Sequence, residues 1–163
     1  MDSPDIVSTT IEEVRSDREV DRTHVLARLE DWCKRVHELF HVIESALGRE
    51  FTYDRTGKWG SQEEMVQRAG LTQDQVPLVD VLRIEKPQGS MRALILPRGL
   101  WIVGANGRLD LRVFYPMPRQ YLIADRSQPL ANKPEWYLIA VGDPLAPHLL
   151  TNDVIRSVIG AGL

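Results

Sequence analysis

The chain contains little cysteine, no long apolar run and none of the common nucleophile motifs. Its 163 residues include a single cysteine, Cys33, which excludes an internal disulfide. Because Cys33 lies within a helical pattern of apolar residues, we expect a buried thiol in a reducing compartment. No apolar stretch approaches the roughly 20 residues that cross a bilayer, and residues 1–21 lack the apolar centre of a signal peptide. These absences predict a soluble, cytoplasmic protein without a membrane partner.

Motifs for covalent and phosphate chemistry are missing as well. The sequence contains no Gly-x-Ser-x-Gly elbow, no phosphate-binding glycine loop and no Cys-x-x-Cys pair. Because no nucleophile is recognisable, the sequence favours a protein without catalytic activity.

Charge is unevenly distributed along a chain of ordinary composition. With 43% hydrophobic and 26% charged residues, a chain of this length predicts one domain, residues 1–163. Residues 1–50 hold 7 basic and 12 acidic side chains, a net charge of −5, whereas residues 81–126 hold 8 and 3, a net charge of +5. The two halves can face each other, or the basic half can present a surface to nucleic acid or another polyanion.

A long amphipathic helix is predicted near the N-terminus. Apolar residues there step by four and three, which places them on one face of a helix: Val25, Leu29, Trp32, Val36, Leu39 and Ile43. We place this helix at residues 18–47, ended by Gly48. Residues 1–16 show little apolar periodicity and are expected to form a flexible arm.

A shorter helical region follows. Residues 61–64 match a capping box, and Gly70 would end the helix that this box opens. The stretch at residues 64–76 resembles the first helix, the turn and the second-helix start of many bacterial DNA-binding domains. The resemblance ends at Pro77, which would interrupt the recognition helix.

From Val79 onward the period of apolar residues changes to two, which is typical of β-strands. Short connections favour antiparallel neighbours, and the predicted strands lie at residues 81–85, 91–96, 100–105, 108–114, 121–124 and 136–141. A last helix is predicted at residues 151–160. The predicted fold class is α+β, in which a long N-terminal helix and short helices pack on an antiparallel β-meander of about five or six strands over residues 79–142.

Asn106-Gly107 is the strongest hairpin signal, because both residues tolerate the positive φ of a type I′ turn. With this turn, Trp101 pairs with Arg112 on a face that points away from the core. Trp101 can then stack on Arg112, or anchor a protein partner. Alternatively, Trp101 stacks on a nucleobase while Arg98 and Arg112 bind phosphate. Trp101, Arg112 and Arg98 are therefore the predicted binding residues.

One motif in the sequence is typical of a specific chemistry, zinc-dependent hydrolysis. Residues 37–41 read His-Glu-x-x-His, as in zinc proteases, where two histidines bind the metal and the glutamate activates its water. His37 and His41 are thus candidate zinc ligands and Glu38 is a candidate catalytic base. No third-ligand motif accompanies them, and Arg35 would repel Zn²⁺ if it turned inward, so the simpler interpretation is two exposed helix histidines. Arg35 to His41 also resembles the Arg-x(4–6)-His element of HEPN ribonucleases, an all-helical family, whereas half of this chain reads as strand.

The favoured hypothesis is a non-enzymatic binding or adaptor module that acts through a protein partner or a homo-oligomer and needs no cofactor. The long helix and the Trp101 face are its expected contact surfaces. Two alternatives stay open. One is a zinc-dependent hydrolase that uses His37, His41 and Glu38, and the other is an RNA- or DNA-binding protein that uses the basic sheet.

Overall fold

The computed structural model describes the backbone of residues 3–160 and the side chains of residues 22–142 and 147–160. The long helix, α1, spans Ser3–Leu47, and its end agrees with the predicted end at residue 47. α1 begins at Ser3 and not at the predicted residue 18, so its backbone includes residues 3–16 of the predicted arm. No helix in the described chain is both long enough and apolar enough to cross a membrane.

The strands of the described chain are β1 Thr52–Asp54, β2 Lys58–Trp59, β3 Val79–Asp80, β4 Leu82–Glu85, β5 Met91–Gly99, β6 Arg108–Val113, β7 Arg119–Asp125, β8 Trp136–Ala140 and β9 Asp143–Leu149. Seven of them form an antiparallel sheet in the order β1-β4-β5-β6-β7-β8-β9, and β2 pairs with β3 in a second sheet. From β4 onward each strand of the main sheet pairs with the next one in the chain, which confirms the α+β class and the antiparallel meander.

The strand count is higher than the predicted five or six. β1, β2 and β3 contain two or three residues each, which is too short to show a period of two. β9 contains Pro144 and Pro147, and proline normally argues against a strand. Its place at the edge of the sheet tolerates proline, because one side of an edge strand needs no backbone donor.

α1 packs across one face of the main sheet, called here the inner face. The apolar helix residues that the periodicity selected, from Val25 to Ile43, are all at most 2% exposed. They share one core with alternating strand residues, among them Leu82, Ile95 and Leu111. The helical period of α1 and the period of two in the strands therefore meet in one core.

The predicted strand at residues 100–105 and its hairpin with β6 are wrong. β5 does not turn at Pro97, but continues beyond it and stays paired with β6 through a register shift. As a result Leu94, and not Trp101, lies opposite Arg112.

Asn106 and Gly107 pack against α1 and do not form a two-residue turn. Asn106 lacks the positive φ that a type I′ turn requires, and its buried Oδ1 accepts a hydrogen bond from Arg28 Nη2 at 2.8 Å. Gly107 has a φ of +113°, and a Cβ at this position would overlap the ring of Trp32. Contacts with a helix distant in sequence thus determine this pair, and local turn rules do not register them.

The region that resembles a helix-turn-helix contains α2, Glu64–Arg68, and the 3₁₀ turn Gln73–Gln75. The 3₁₀ turn leads into β3, so the described chain has no recognition helix here. The predicted capping box also fails, because the N-cap of α2 is Glu63 and no side chain caps it.

The predicted C-terminal helix is present. α3, Asn152–Ile155, continues as one π-helical segment, Arg156–Gly160. Thr151 caps it, because its Oγ1 accepts a hydrogen bond from the Val154 amide at 3.2 Å.

Candidate functional site

The face of the main sheet opposite to α1, called here the outer face, is formed by the residues that alternate with the core positions. Paired residues in neighbouring strands point to the same face, so the strand registers define three rows: Arg83, Leu94, Arg112 and Gln120; Leu96, Asp110, Leu122 and Ile139; and Arg108, Ala124, Tyr137 and Leu149. The leucine, isoleucine and tyrosine side chains of these rows lie outside the core that α1 shares with the inner face.

Strands β7 to β9 carry an apolar patch on this face. We call it the outer patch, and its members are Leu149, which is exposed, Leu122, Tyr137 and Ile139, which are half-buried, and Ala124, which is 8% exposed. Leu149 is 54% exposed, and Val141, which continues the line of β8, is 55% exposed. Complete burial of an aliphatic side chain of this size is worth about 1.5–3 kcal/mol. A partner that covered the outer patch would therefore gain free energy from its apolar surface.

A charged stripe on β6 borders the outer patch. Asp110, at its middle, is 8% exposed and accepts hydrogen bonds from Arg98 Nε at 2.6 Å and Arg108 Nη2 at 3.2 Å. These are charge-assisted bonds, which are the stronger class. Because one carboxylate faces two guanidinium groups, the three side chains together keep a net positive charge.

Arg112 continues the β6 stripe, and its Nε is buried without a hydrogen-bond acceptor in the described chain. A buried donor without an acceptor costs about 1–3 kcal/mol. Arg112 also lines a cavity of about 730 Å³ at the end of the sheet, together with Phe114, Arg119, Gln120 and Val141. A carboxylate that entered this cavity would be attracted by the guanidinium charges of Arg112 and Arg119.

Two arginines beside the outer patch, Arg112 and Arg126, have no acidic partner among the described residues. Arg119 has none either, but it pairs with the core residue Val113 and so belongs to the inner face at the end of the sheet. The ion pairs of the described chain involve other side chains. Arg126 lies over the ring of Tyr137, with its guanidinium carbon 4.7 Å from the ring centre. This border of the patch is positively charged.

The structure does not bring the three predicted binding residues together. Trp101 follows β5 on the α1 side, where Arg28 lies over its ring at 5.2 Å and its side chain packs against the core. Arg98 and Arg112 belong to the outer face, where Arg98 is paired with Asp110. Trp101 is thus separated from both arginines by the failure of the hairpin.

A buried ion pair between α1 and the end of β7 was not predicted. Arg35, which is 4% exposed, donates from Nη1 to Asp125 Oδ2 at 2.5 Å and to the Asn106 carbonyl at 2.8 Å. Arg35 Nε binds Asp31 at 2.7 Å. The fully buried Asp125 also accepts two backbone amides at 2.8 and 2.9 Å. Because both charges are paired with protein groups, we interpret this network as the device that positions α1 on the sheet.

His37, Glu38 and His41 lie on the exposed side of α1. His37 Nδ1 is 3.3 Å from Arg55 Nη1, so a guanidinium cation lies beside this ring nitrogen. Across residues 22–142 and 147–160, no three His, Cys, Asp or Glu side chains are grouped as a metal site. The zinc-dependent alternative stays a prediction for which the described chain supplies no third ligand.

Cys33 lies on the flank of α1 and is partly buried. Burial raises the pKa of its thiol to about 11, and the nearby Asp80 acts in the same direction. The thiol is therefore protonated, and a weak nucleophile, at neutral pH.

The outer patch and its arginines are the combination of exposed features that best fits a binding role. No family model, no curated protein and no solved structure matches this chain. The geometry and charge of the outer face are therefore the basis for the function proposed below.

Proposed function

We propose that this protein is a non-enzymatic binding module that docks an acidic, partly apolar segment of a protein partner on its outer face. The observation that carries this proposal is the outer patch beside two arginines, Arg112 and Arg126, without acidic partners in the described chain. Protein interfaces combine an apolar centre with a polar rim, and their energetically dominant residues are enriched in arginine and tyrosine.

The composition of the outer patch favours a protein partner over a nucleic acid. Proteins that bind single strands stack bases on aromatic rings, whereas Leu122, Ile139 and Leu149 present aliphatic side chains. Tyr137 is the aromatic residue of the three rows, and Arg126 already lies over its ring. The positive border then selects the sign of charge on the protein partner.

The dimensions of the outer patch suit a helical segment. β7, β8 and β9 are adjacent strands, so the patch is about 9–10 Å wide at roughly 4.8 Å per strand spacing. An α-helix with its side chains is about 10–12 Å across. An amphipathic helix can therefore place its apolar side on the patch and its acidic flank along β6 and Arg126.

The proposal is tested with two labelled synthetic helical peptides that share one apolar side and carry either glutamate or lysine flanks. We expect the acidic peptide to bind the full chain in fluorescence anisotropy, with an affinity that falls as salt rises. Leu149→Glu places a negative charge on the outer patch and should weaken binding by about tenfold or more. Val103→Glu is the matched control, because Val103 is fully exposed on the connection between β5 and β6.

Equal loss of binding in Leu149→Glu and Val103→Glu would contradict the outer face as the site. Failure of both peptides to bind, together with an oligonucleotide that binds the wild type and is lost in Leu149→Glu, would overturn the protein partner and support the nucleic-acid alternative.

A further inference from the structure

We infer that the segment docked on the outer face is residues 1–21 of a second copy of this chain, so that the protein self-associates. This inference rests on the proposed function and names the partner of the same surface.

The charge of residues 1–21 is opposite in sign to that of the rest of the chain. Residues 1–21 hold 7 acidic and 2 basic side chains, a net charge of −5, whereas residues 22–163 hold 16 acidic and 18 basic, a net charge of +2. The acidic excess of the whole protein is therefore concentrated in this segment. The outer face supplies the opposite charge, because Arg112 and Arg126 lack acidic partners in the described chain. Such complementarity between two surfaces favours association and fixes its register.

The apolar residues of the segment have the spacing of an amphipathic helix. Val7, Ile11 and Val14 are separated by four and three residues, the spacing that puts side chains on one side of a helix. At 1.5 Å per residue, the distance from position 7 to position 14 is about 10.5 Å along a helix. With the helix axis parallel to the strands, as in the proposed function, this apolar row runs along the outer patch. The segment thus has the acidic and apolar pattern that the outer patch requires.

The guanidinium of Arg112 offers a partner to the acidic side chains of the segment. Its Nε lacks an acceptor in the described chain, and its cavity is also lined by Arg119. Glu12 and Glu13 adjoin Ile11 in the apolar series. We assign to this pair the carboxylate that pairs with the Arg112 guanidinium, where it would form charge-assisted hydrogen bonds at the edge of the patch.

Reciprocal exchange makes a closed dimer. If each copy seats its segment on the outer face of the other, two identical contacts form about a two-fold axis, and no binding surface is left over for further growth. The second contact forms within an existing complex, so it strengthens the dimer beyond the affinity of one segment.

Sedimentation velocity on the full chain tests the inference through charge reversal from both sides. We expect the wild type to be a dimer at micromolar concentration and low salt. Arg112→Glu should weaken dimerisation by at least about tenfold, and so should the double variant Glu12→Arg with Glu13→Arg. All three changes in one chain should restore at least part of the lost affinity. Arg49→Glu is the matched control, because Arg49 is an exposed cation on the turn after α1.

Two results would overturn the inference. One is a wild type that stays monomeric while the acidic peptide described above binds the outer face, which would leave the proposed function intact. The other is a dimer that neither set of reversals weakens. If neither the dimer nor peptide binding is found, both proposals fail together. The variant with Glu12→Arg and Glu13→Arg tests the same contact from the segment side, so it decides the outcome even if Arg112→Glu does not fold.

Discussion

Two arginines near opposite ends of β7, the buried Arg35 and the half-buried Arg112, differ in how their guanidinium groups are paired. At the end near α1, Arg35 is 4% exposed and binds two carboxylates and a carbonyl. Near the other end, Arg112 of β6 lies opposite Gln120 of β7, and its buried Nε has no acceptor in the described chain. Folded proteins pair nearly all buried polar groups, so a fully paired site and an incomplete one have different explanations.

The difference separates a structural site from a binding site. Arg35 and Asp125 join α1 to the sheet, so their interaction is complete within one chain. Arg112 lies beside an apolar patch and a cavity, where a partner can complete it.

Arg35→Met should have the largest effect. It leaves Asp125 fully buried with two backbone amides and no cation, and removing one partner of a buried pair typically costs about 3–5 kcal/mol. We expect a loss of this size in the free energy of unfolding, measured by urea denaturation. Arg83→Met, which removes an exposed arginine of the outer face, should change stability by less than about 0.5 kcal/mol. Similar denaturation midpoints for the two variants would refute the structural role of Arg35.

Gly107→Ala should be nearly as damaging, because it disturbs the same end of β7. A Cβ at position 107 meets the buried ring of Trp32 and also requires a side chain at a φ of +113°. A forced contact in a packed core costs about 1–3 kcal/mol, and a left-handed backbone adds about 1–2 kcal/mol.

Gly104→Ala isolates the backbone part of that cost. Gly104 also has a positive φ, but a Cβ there meets nothing within 4 Å. Its loss in thermal or urea denaturation should therefore be about 1–2 kcal/mol, the backbone contribution alone. If both alanine variants lose the same stability, the contact of Gly107 with Trp32 is not a constraint.

The long-range pattern of the fold could be predicted from sequence, because it depends on simple periods. The apolar residues of α1 repeat every three or four positions over several turns, and all of those selected are buried. The strands from β4 to β8 alternate over four or more residues, and their short connections leave antiparallel pairing as the natural solution. Two- and three-residue strands contain too little pattern to be recognised.

Register could not be predicted, and the site depends on register. Pro97 and Asn106-Gly107 both have the sequence of turns. However, β5 continues through Pro97, and Gly107 packs against the ring of Trp32. The prediction placed Arg112 on the outer face, as in the structure, but it named Trp101 as the cross-strand neighbour, and the structure has Leu94 there. A bulge shifts pairing without changing the local pattern, so each face can be inferred while its cross-strand partners cannot.

One missed residue did have a sequence signal. Arg35 lies three residues after Trp32 and four before Leu39, on the apolar side of α1. A cation at such a position must find a partner or leave the core. Its partner, Asp125, is 90 residues away and could not be named from the helix alone.

Alkaline pH should lower stability through the α1 side of the molecule. Burial raises the pKa of Cys33 to about 11 from 9.0, so the folded chain keeps this proton when the unfolded chain has lost it. The contribution is fully present below about pH 9 and is lost as pH rises through about 11. Cys33→Ala should flatten the pH dependence of the unfolding free energy over this window. An unchanged slope in the variant would show that the thiol is not shielded.

Arg112→Met should have the smallest effect on stability, and that is the sharpest contrast with Arg35→Met. Both changes replace a guanidinium with an apolar side chain, but only Arg35 leaves a buried carboxylate behind. Removal of Arg112 also removes a buried donor without an acceptor, so the unfolding free energy should stay within about 0.5 kcal/mol of the wild type or rise. Arg119→Met, an exposed neighbour in the same cavity, controls for the loss of charge. A loss of several kcal/mol in Arg112→Met would mean that Arg112 stabilises the fold and is not part of a partner-binding surface at this end of β7.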